Sequence, residues 1–181
     1  MLYCFFAPGF EEIEAVATVD TVRRGGLEVV TVGVGSRTVT GAHGIPVVTD
    51  LTDADLTDLS DMTGVILPGG MPGTLNLDKS ECVERALRCA FDNGRLIAAI
   101  CAAPSIPGKR GMLKGRAAVC YDGFEDQLLG ALPCGERVVT DGPFITARGA
   151  GVAIEFGCEI VAYFSGREKA ASVARSMKCK E

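Results

Sequence analysis

Leu96-Ile97-Ala98-Ala99-Ile100-Cys101-Ala102-Ala103-Pro104 is an apolar run that stops abruptly in small residues and a proline. An apolar stretch bounded by a turn signal reads as a buried strand, and a proline near the front of the next segment marks the first turn of a helix, where its missing N–H is not needed. Cys101 then falls at the carboxyl edge of a sheet. The amides of a following helix N-terminus would lower the pKa of a thiol there and favour the thiolate. Two readings of this cysteine stand side by side: a nucleophile presented by a strand-to-helix turn, or a small buried apolar residue, since free cysteine packs like one. The flanking pattern favours the nucleophile.

Outward from this junction, strands and helices alternate. Leu2 to Phe6 reads as a strand, and Glu11 to Arg24 as a helix with Ile13, Val16, Val19 and Val22 on one stripe before Gly25-Gly26. Glu28 to Val34 is β-branched and strand-like. Ser36 to Asp50 suggests a hairpin or an edge excursion with bends at Gly41 and Gly44. Val65 to Leu67 is a short strand closed by Pro68-Gly69-Gly70, and Ser80 to Asn93 an amphipathic helix with early glutamates and Gly94 beyond its end. After Cys101 the pattern predicts a short helix over Ala103 to Arg110 and a strand over Ala117 to Tyr121. Arg137 to Thr140 and Phe144 to Ala147 flank Asp141-Gly142-Pro143 as a hairpin, and helices follow over Val152 to Phe164 and Glu168 to Met177. This rhythm implies an α/β fold over residues 1–181, one domain, with a mostly parallel sheet covered on both faces. The site of such a sheet lies beyond the carboxyl ends of its strands.

Composition removes several function classes. The net charge of −5, with basic residues scattered, gives no footprint for nucleic acid or an anionic membrane. No stretch approaches the roughly 20 apolar residues of a membrane span, and Met1 to Phe6 is too short for a secretory core. A cytoplasmic location is expected. The eight cysteines contain no Cys-x-x-Cys pair and there is one histidine, His43, so a zinc site is not expected. Cys82 and Cys89 lie too far apart along one expected helix to bridge each other. Gly33-Val34-Gly35-Ser36-Arg37-Thr38 lacks the third glycine of a dinucleotide fingerprint.

Three loops should converge on Cys101: Pro8 to Glu14, Pro68-Gly69-Gly70, and Tyr121-Asp122-Gly123. Adjacent glycines after a strand leave N–H groups open to hold a developing oxyanion, although they equally suit a tight turn. Glutamates in a helix's first turn are favoured by the macrodipole whether or not they take part in chemistry.

Taken together, Ala7-Pro8-Gly9-Phe10-Glu11-Glu12-Ile13-Glu14, Leu67-Pro68-Gly69-Gly70, Ala99-Ile100-Cys101-Ala102-Ala103-Pro104 and Thr146-Ala147-Arg148-Gly149 resemble the ThiJ/PfpI superfamily, in its DJ-1 branch. The resemblance implies a flavodoxin-like three-layer α/β sandwich, usually a homodimer, with a reactive cysteine at the elbow and a first-helix glutamate beside it. By register that glutamate is Glu14, while Gly69, Gly70 and Ala102 would supply or flank amides facing a substrate oxygen. It also implies glyoxalase III or deglycase chemistry on small reactive carbonyls or glycated thiols and amines, with no metal or other cofactor. A protonated Glu14 would keep Cys101 as a thiolate and shuttle a proton as sulfur attacks the carbonyl. The resemblance implies a stress-protective role, and the same pair would suit a redox-sensing or chaperone-like protein in which peroxide takes Cys101 to a sulfinate without substantial turnover.

The chain departs from its apparent relatives in two places. The peptidase branch has a histidine directly after the cysteine, where this chain has Ala102, so an amidase or peptidase is the least favoured reading. Many DJ-1 relatives carry a histidine in the loop after the next strand, where this chain has Tyr121, a possible donor but a poor base near neutrality. His43 falls by register in a region that in relatives approaches the dimer interface, near Arg24. As a lone loop histidine it reads first as solvated.

Overall fold

The computed structural model describes residues 1–179. In chain order its strands and helices are β1 (Leu2–Phe6), α1 (Glu12–Arg24), β2 (Val29–Gly33), β3 (Thr38–Thr40), β4 (Pro46–Val48), β5 (Leu51–Thr52), β6 (Gly64–Leu67), α2 (Gly73–Lys79) and α3 (Glu81–Asp92). They continue as β7 (Leu96–Ile100), α4 (Ser105–Lys109), β8 (Ala117–Ala118), β9 (Leu132–Pro133), β10 (Val138–Asp141), β11 (Phe144–Ala147), α5 (Ala153–Ser165) and α6 (Arg167–Ser176). Seven strands form one sheet in the order β10-β11-β7-β6-β1-β2-β5. Every pairing in it is parallel except β10 with β11.

The alternation of side chains along the strands splits the core in two. Tyr3, Phe5, Val65, Leu67, Ile97 and Ala99 face one way and meet Val83, Ala86 and Leu87 of α3. Leu2, Cys4, Phe6, Ile66, Ala98 and Ile100 face the other way, against Val19 and Val22 of α1 and Phe156 and Ile160 of α5. Burial on both faces explains why these strands are apolar throughout rather than at alternate positions. The result is the three-layer, flavodoxin-like α/β sandwich expected from the sequence. On the outer layer α1 and α5 approach closely through a small residue: a Cβ on Gly157 would lie 2.7 Å from the Thr21 Cβ.

Register brings the site together. Leu67 pairs with Ala99 and Ala147 with Ile100, so the segments after β6, β7 and β11 leave the sheet at one edge. The Ser36 to Asp50 excursion is a hairpin, β3 against β4, and the pair around Gly142 is a hairpin as predicted. Elsewhere the structure corrects the sequence reading. The helix after Cys101 starts only at Ser105 and has five residues, because residues 101–104 form a turn instead. The expected strand over Ala117 to Tyr121 shrinks to two residues that pair with β9, outside the main sheet. Beyond it Val119 N–H donates to the Thr146 hydroxyl (3.0 Å) and Tyr121 N–H to the Cys101 carbonyl (2.8 Å), so this backbone buttresses the nucleophile loop. The structure also contains α2, which the sequence reading passed over.

Candidate active site

Cys101 takes a left-handed conformation (φ +64) where β7 ends. Such a backbone costs a non-glycine residue about 1–2 kcal/mol. Two hydrogen bonds hold it there: Cys101 N–H donates to the Ala147 carbonyl (2.9 Å) and its own carbonyl accepts from Tyr121. The turn is therefore fixed by the neighbouring strand and by the loop after β8.

Glu14 comes from the first turn of α1 and is essentially without solvent exposure, at 1%. The Glu11 carboxylate caps the helix by accepting from Glu14 N–H (2.6 Å), which orients the turn. Gly69 N–H donates to Glu14 Oε2 (2.8 Å), and the carboxyl lies beside the Cys101 side chain, both meeting a Cβ placed on Gly69. Gly69 has no room for a side chain, since a Cβ would lie 2.7 Å from both the Cys101 Cβ and Glu14 Oε2. Gly149, just after β11, closes the other side; a Cβ there would lie 3.8 Å from Glu14 Oε1 and 3.4 Å from the Tyr121 ring.

Burial pushes the Glu14 carboxyl up to about 7; the Gly69 N–H and the Cys101 hydrogen bond favour its anion but are outweighed, and the charge of Glu11 adds to the rise. Burial, then the charge of an ionised Glu14, pushes the Cys101 thiol up to about 12, while the amides of Ala102 and Gly70 pull it down. A carboxylate and a thiolate side by side are thus disfavoured near neutrality, and the pair retains one shared proton. The expected lowering of the Cys101 thiol by a helix N-terminus is not found, since burial and Glu14 carry the net shift upward. α4 is short and begins after the turn, so individual amides, not a macrodipole, favour the sulfur anion.

The predicted site residues separate into groups. Cys101, Glu14, Gly69, Gly70 and Ala102 come together, but Gly69 does not face a substrate oxygen with its N–H, because Glu14 occupies that donor. The amides of Gly70 and Ala102 favour the Cys101 anion electrostatically. Tyr121 contributes its backbone, while its half-exposed ring borders an open cavity of about 440 Å³ with Arg148 and Gly149. Gly149 lay in a quoted motif, yet its contact with Glu14 depends on tertiary placement.

His43 is not a free loop residue. Its ring Nδ1 lies 2.8 Å from Glu12 Oε2, and its backbone N–H donates to Glu12 Oε1 at 2.8 Å. Within one chain Glu12 and Arg24 stand at opposite ends of α1, about 18 Å of helix apart, and Arg24 pairs with Asp20 (2.7 Å). Glu11, Glu12 and His43 bring ligand atoms within 4.8 Å of one another, but the cap and the His43 pair already engage both carboxylates. The Glu12 hydrogen bond raises His43 above its ordinary 6.5, whereas burial of Glu12 is outweighed by His43, which lowers that carboxyl. The imidazolium contribution is complete below the unfolded imidazole value and is lost as pH rises through the folded one; the carboxylate contribution is lost as pH falls through the lowered Glu12 value. An NMR titration of His43 should give a midpoint above 6.5 that returns toward 6.5 in Glu12→Gln; an unchanged midpoint would refute the pairing.

A mostly parallel α/β sandwich with a strained cysteine at a strand end and a buried, proton-retaining carboxyl against it defines a protein of the cysteine-elbow class. The DJ-1/PfpI family model matches residues 2–163, and the chain belongs to that family. It is 39% identical over 171 residues to protein DJ-1 homolog B of Arabidopsis thaliana, covering 93% of this chain but 39% of that protein, so it spans well under half of that relative. With glutathione-independent glyoxalase DJR-1.2 of Caenorhabditis elegans it shares 33% identity over 171 residues, covering 92% of this chain and 89% of the relative. The solved structure of oxidized Toxoplasma gondii DJ-1 superposes with a TM-score of 0.94 at 31% identity, covering 99% and 98% of the two chains. No helix among the described residues is long and apolar enough to cross a membrane.

Proposed function

We propose that this protein converts small reactive dicarbonyls such as glyoxal and methylglyoxal to hydroxy acids without glutathione, metal or other cofactor, using Cys101 as nucleophile and Glu14 as its proton partner. The observation that carries this reading is Glu14: a buried carboxyl held by Gly69 N–H, set beside Cys101 and pushed up by burial to about 7. A group titrating near neutrality can both give and take a proton at working pH. The glyoxalase name of the nematode relative supports the substrate class.

The steps follow from the pair. With the shared proton on Glu14, the Cys101 thiolate adds to one aldehyde carbon, and Glu14 protonates the new alkoxide to give a hemithioacetal. The Glu14 carboxylate then removes the proton from the carbon bearing sulfur, and the electron pair moves to the neighbouring carbonyl to form an enediol. Reprotonation at that neighbouring carbon gives a thioester of the hydroxy acid, which water cleaves to release product and Cys101. Gly70 and Ala102 amides stabilise the sulfur anion before attack and the leaving sulfur after hydrolysis. Deglycation of early adducts on thiols and amines would begin from the same attack.

Peptidase chemistry is not proposed, since Ala102 stands where a histidine would follow the cysteine and His43 is held by Glu12. A homodimer is proposed on the apolar side chains Ile13, Val16, Ile45 and Val48, all exposed on α1 and around β4. A cytoplasmic setting suits the cysteines, which are free thiols.

The test is a glutathione-free assay with glyoxal and methylglyoxal in a non-amine buffer, with product identified by NMR. Many hydroxy-acid molecules per protein are expected, from a species that sediments as a dimer. Aldehyde loss of no more than one molecule per protein, together with peroxide adding two oxygens to Cys101, would replace this reading by redox sensing.

A further inference from the structure

The chain turns back after α6. Lys178 adopts a left-handed conformation (φ +59), its N–H donates to the Arg175 carbonyl (3.1 Å), and Cys179 N–H donates to the Ala174 carbonyl (3.1 Å). These are the two reversed bonds of a Schellman turn, which fold the residue beyond the helix back over its last turn. Met177, within the turn, places its sulfur 3.7 Å from the Thr21 hydroxyl, whose proton goes to the Ala17 carbonyl (2.7 Å). Cys179 is thereby directed toward α5. It shares a cavity of about 490 Å³ with Cys158 of α5, with Ala174 of α6 and with Ile13 and Ala17 of α1.

Both sulfurs are free thiols and both are partly exposed. Both line that one cavity, and burial, followed by the neighbouring Cys179, raises the Cys158 thiol above its ordinary value. None of this is needed by the Cys101 site, which lies at the sheet edge.

We propose that Cys158 and Cys179 are an oxidisable dithiol that closes to an intramolecular disulfide and ties the C-terminal turn to α5. The oxidant is a hydroperoxide, ROOH. Cys179 ionises and its thiolate attacks the O–O bond, giving a Cys179 sulfenic acid and an alkoxide that takes up the released proton to become the alcohol ROH. The Cys158 sulfur then attacks the sulfenic sulfur, forming the S–S bond and expelling hydroxide, which leaves as water with the Cys158 proton. Two thiols are oxidised by two electrons and one hydroperoxide is reduced. A thiol raised by burial is suited to this second, resolving role, since it stays protonated and intact until its neighbour is activated.

The experiment uses the full chain carrying Cys101→Ser, so that the elbow cysteine consumes no oxidant. The protein is treated with tert-butyl hydroperoxide, alkylated, and analysed by intact mass and peptide mapping. Loss of two alkylatable thiols is expected, with a peptide joining Cys158 to Cys179 that dithiothreitol reverses. The oxidised form should melt at higher temperature than the reduced one, and adding Cys179→Ser should remove both the joined peptide and the shift. Both thiols remaining alkylatable, or Cys179 joined to any other cysteine or to a second chain, would overturn the proposal. Cys179 is partly exposed and lies outside α6, so its replacement by serine leaves the fold intact for the comparison.

Discussion

Cys101→Ser is expected to bring hydroxy-acid formation from glyoxal down to the buffer background, and Glu14→Gln to lower it by about 10²–10⁴-fold, the usual worth of a positioned acid-base group. Glutamine keeps the shape and can still accept from Gly69 N–H, so what it removes is the proton. Iodoacetamide reads that proton directly. In the wild type the rate of Cys101 alkylation should rise through an inflection near 7, as the pair loses the first of its two protons. In Glu14→Gln that inflection should vanish. A wild-type profile with a single step near the ordinary thiol value of 9.0 would sink the shared-proton account.

Stability should move in the opposite direction. Glu14 titrates at about 7 in the folded chain against 4.5 unfolded, so the native state holds its proton more tightly. For a carboxyl raised in this way, burial carries no charge penalty below the unfolded value; the penalty grows as pH rises from 4.5 to about 7 and is constant beyond. Integration gives about 3 kcal/mol. Glu14→Gln should therefore melt higher than wild type at neutral pH, with the difference fading below pH 4.5. A less active but more stable protein is what chemistry at this position predicts, whereas a merely structural glutamate would lose stability on substitution.

The sequence disclosed the parts of this molecule that depend on local pattern. Leu96 to Ile100 could only be a buried strand, and the glycines closing Leu67 and the hairpin at Gly142 punctuate the chain as expected. Burial on both faces made β1 and β7 uniformly apolar, which is itself a parallel-sheet signature. The misreadings arose where tertiary bonds override pattern. Val119 to Tyr121 looks like strand, but its amides serve Thr146 and Cys101, a use that no spacing encodes. Gly73 to Lys79 was hidden because Met71-Pro72-Gly73 reads as a turn leading nowhere. Glu12 and His43 lie 31 residues apart, so nothing in the neighbourhood of either predicts their pairing. Within the site, the glycine pair was legible as important while its division of labour was not: Gly69 and Gly70 are adjacent, yet one amide holds Glu14 and the other favours the sulfur anion.

That division gives Gly69→Ala a specific outcome. Gly69 is not among the glycines with positive φ, so alanine meets no backbone strain there. Its methyl instead meets the Cys101 Cβ and Glu14 Oε2 at 2.7 Å and the Ile100 carbonyl at 3.0 Å. Two of those neighbours are fixed, one by the strained elbow and one by the sheet, so the Glu14 carboxyl is the group that moves. A displacement of about 1 Å at a reacting group costs on the order of 10²-fold in rate, and a loss of at least that size is expected, together with loss of the alkylation inflection near 7. Overpacking should lower stability by about 1–3 kcal/mol, so a control must separate damage from destabilisation. Gly26→Ala supplies it: Gly26 has φ +82 and open space around its Cβ, and it lies beyond the far end of α1 from Glu14. That variant pays backbone strain of about 1–2 kcal/mol and should keep wild-type turnover and the inflection. If Gly69→Ala also kept both, Gly69 would not be what fixes Glu14 against Cys101, and the proton would have to be held by some other contact.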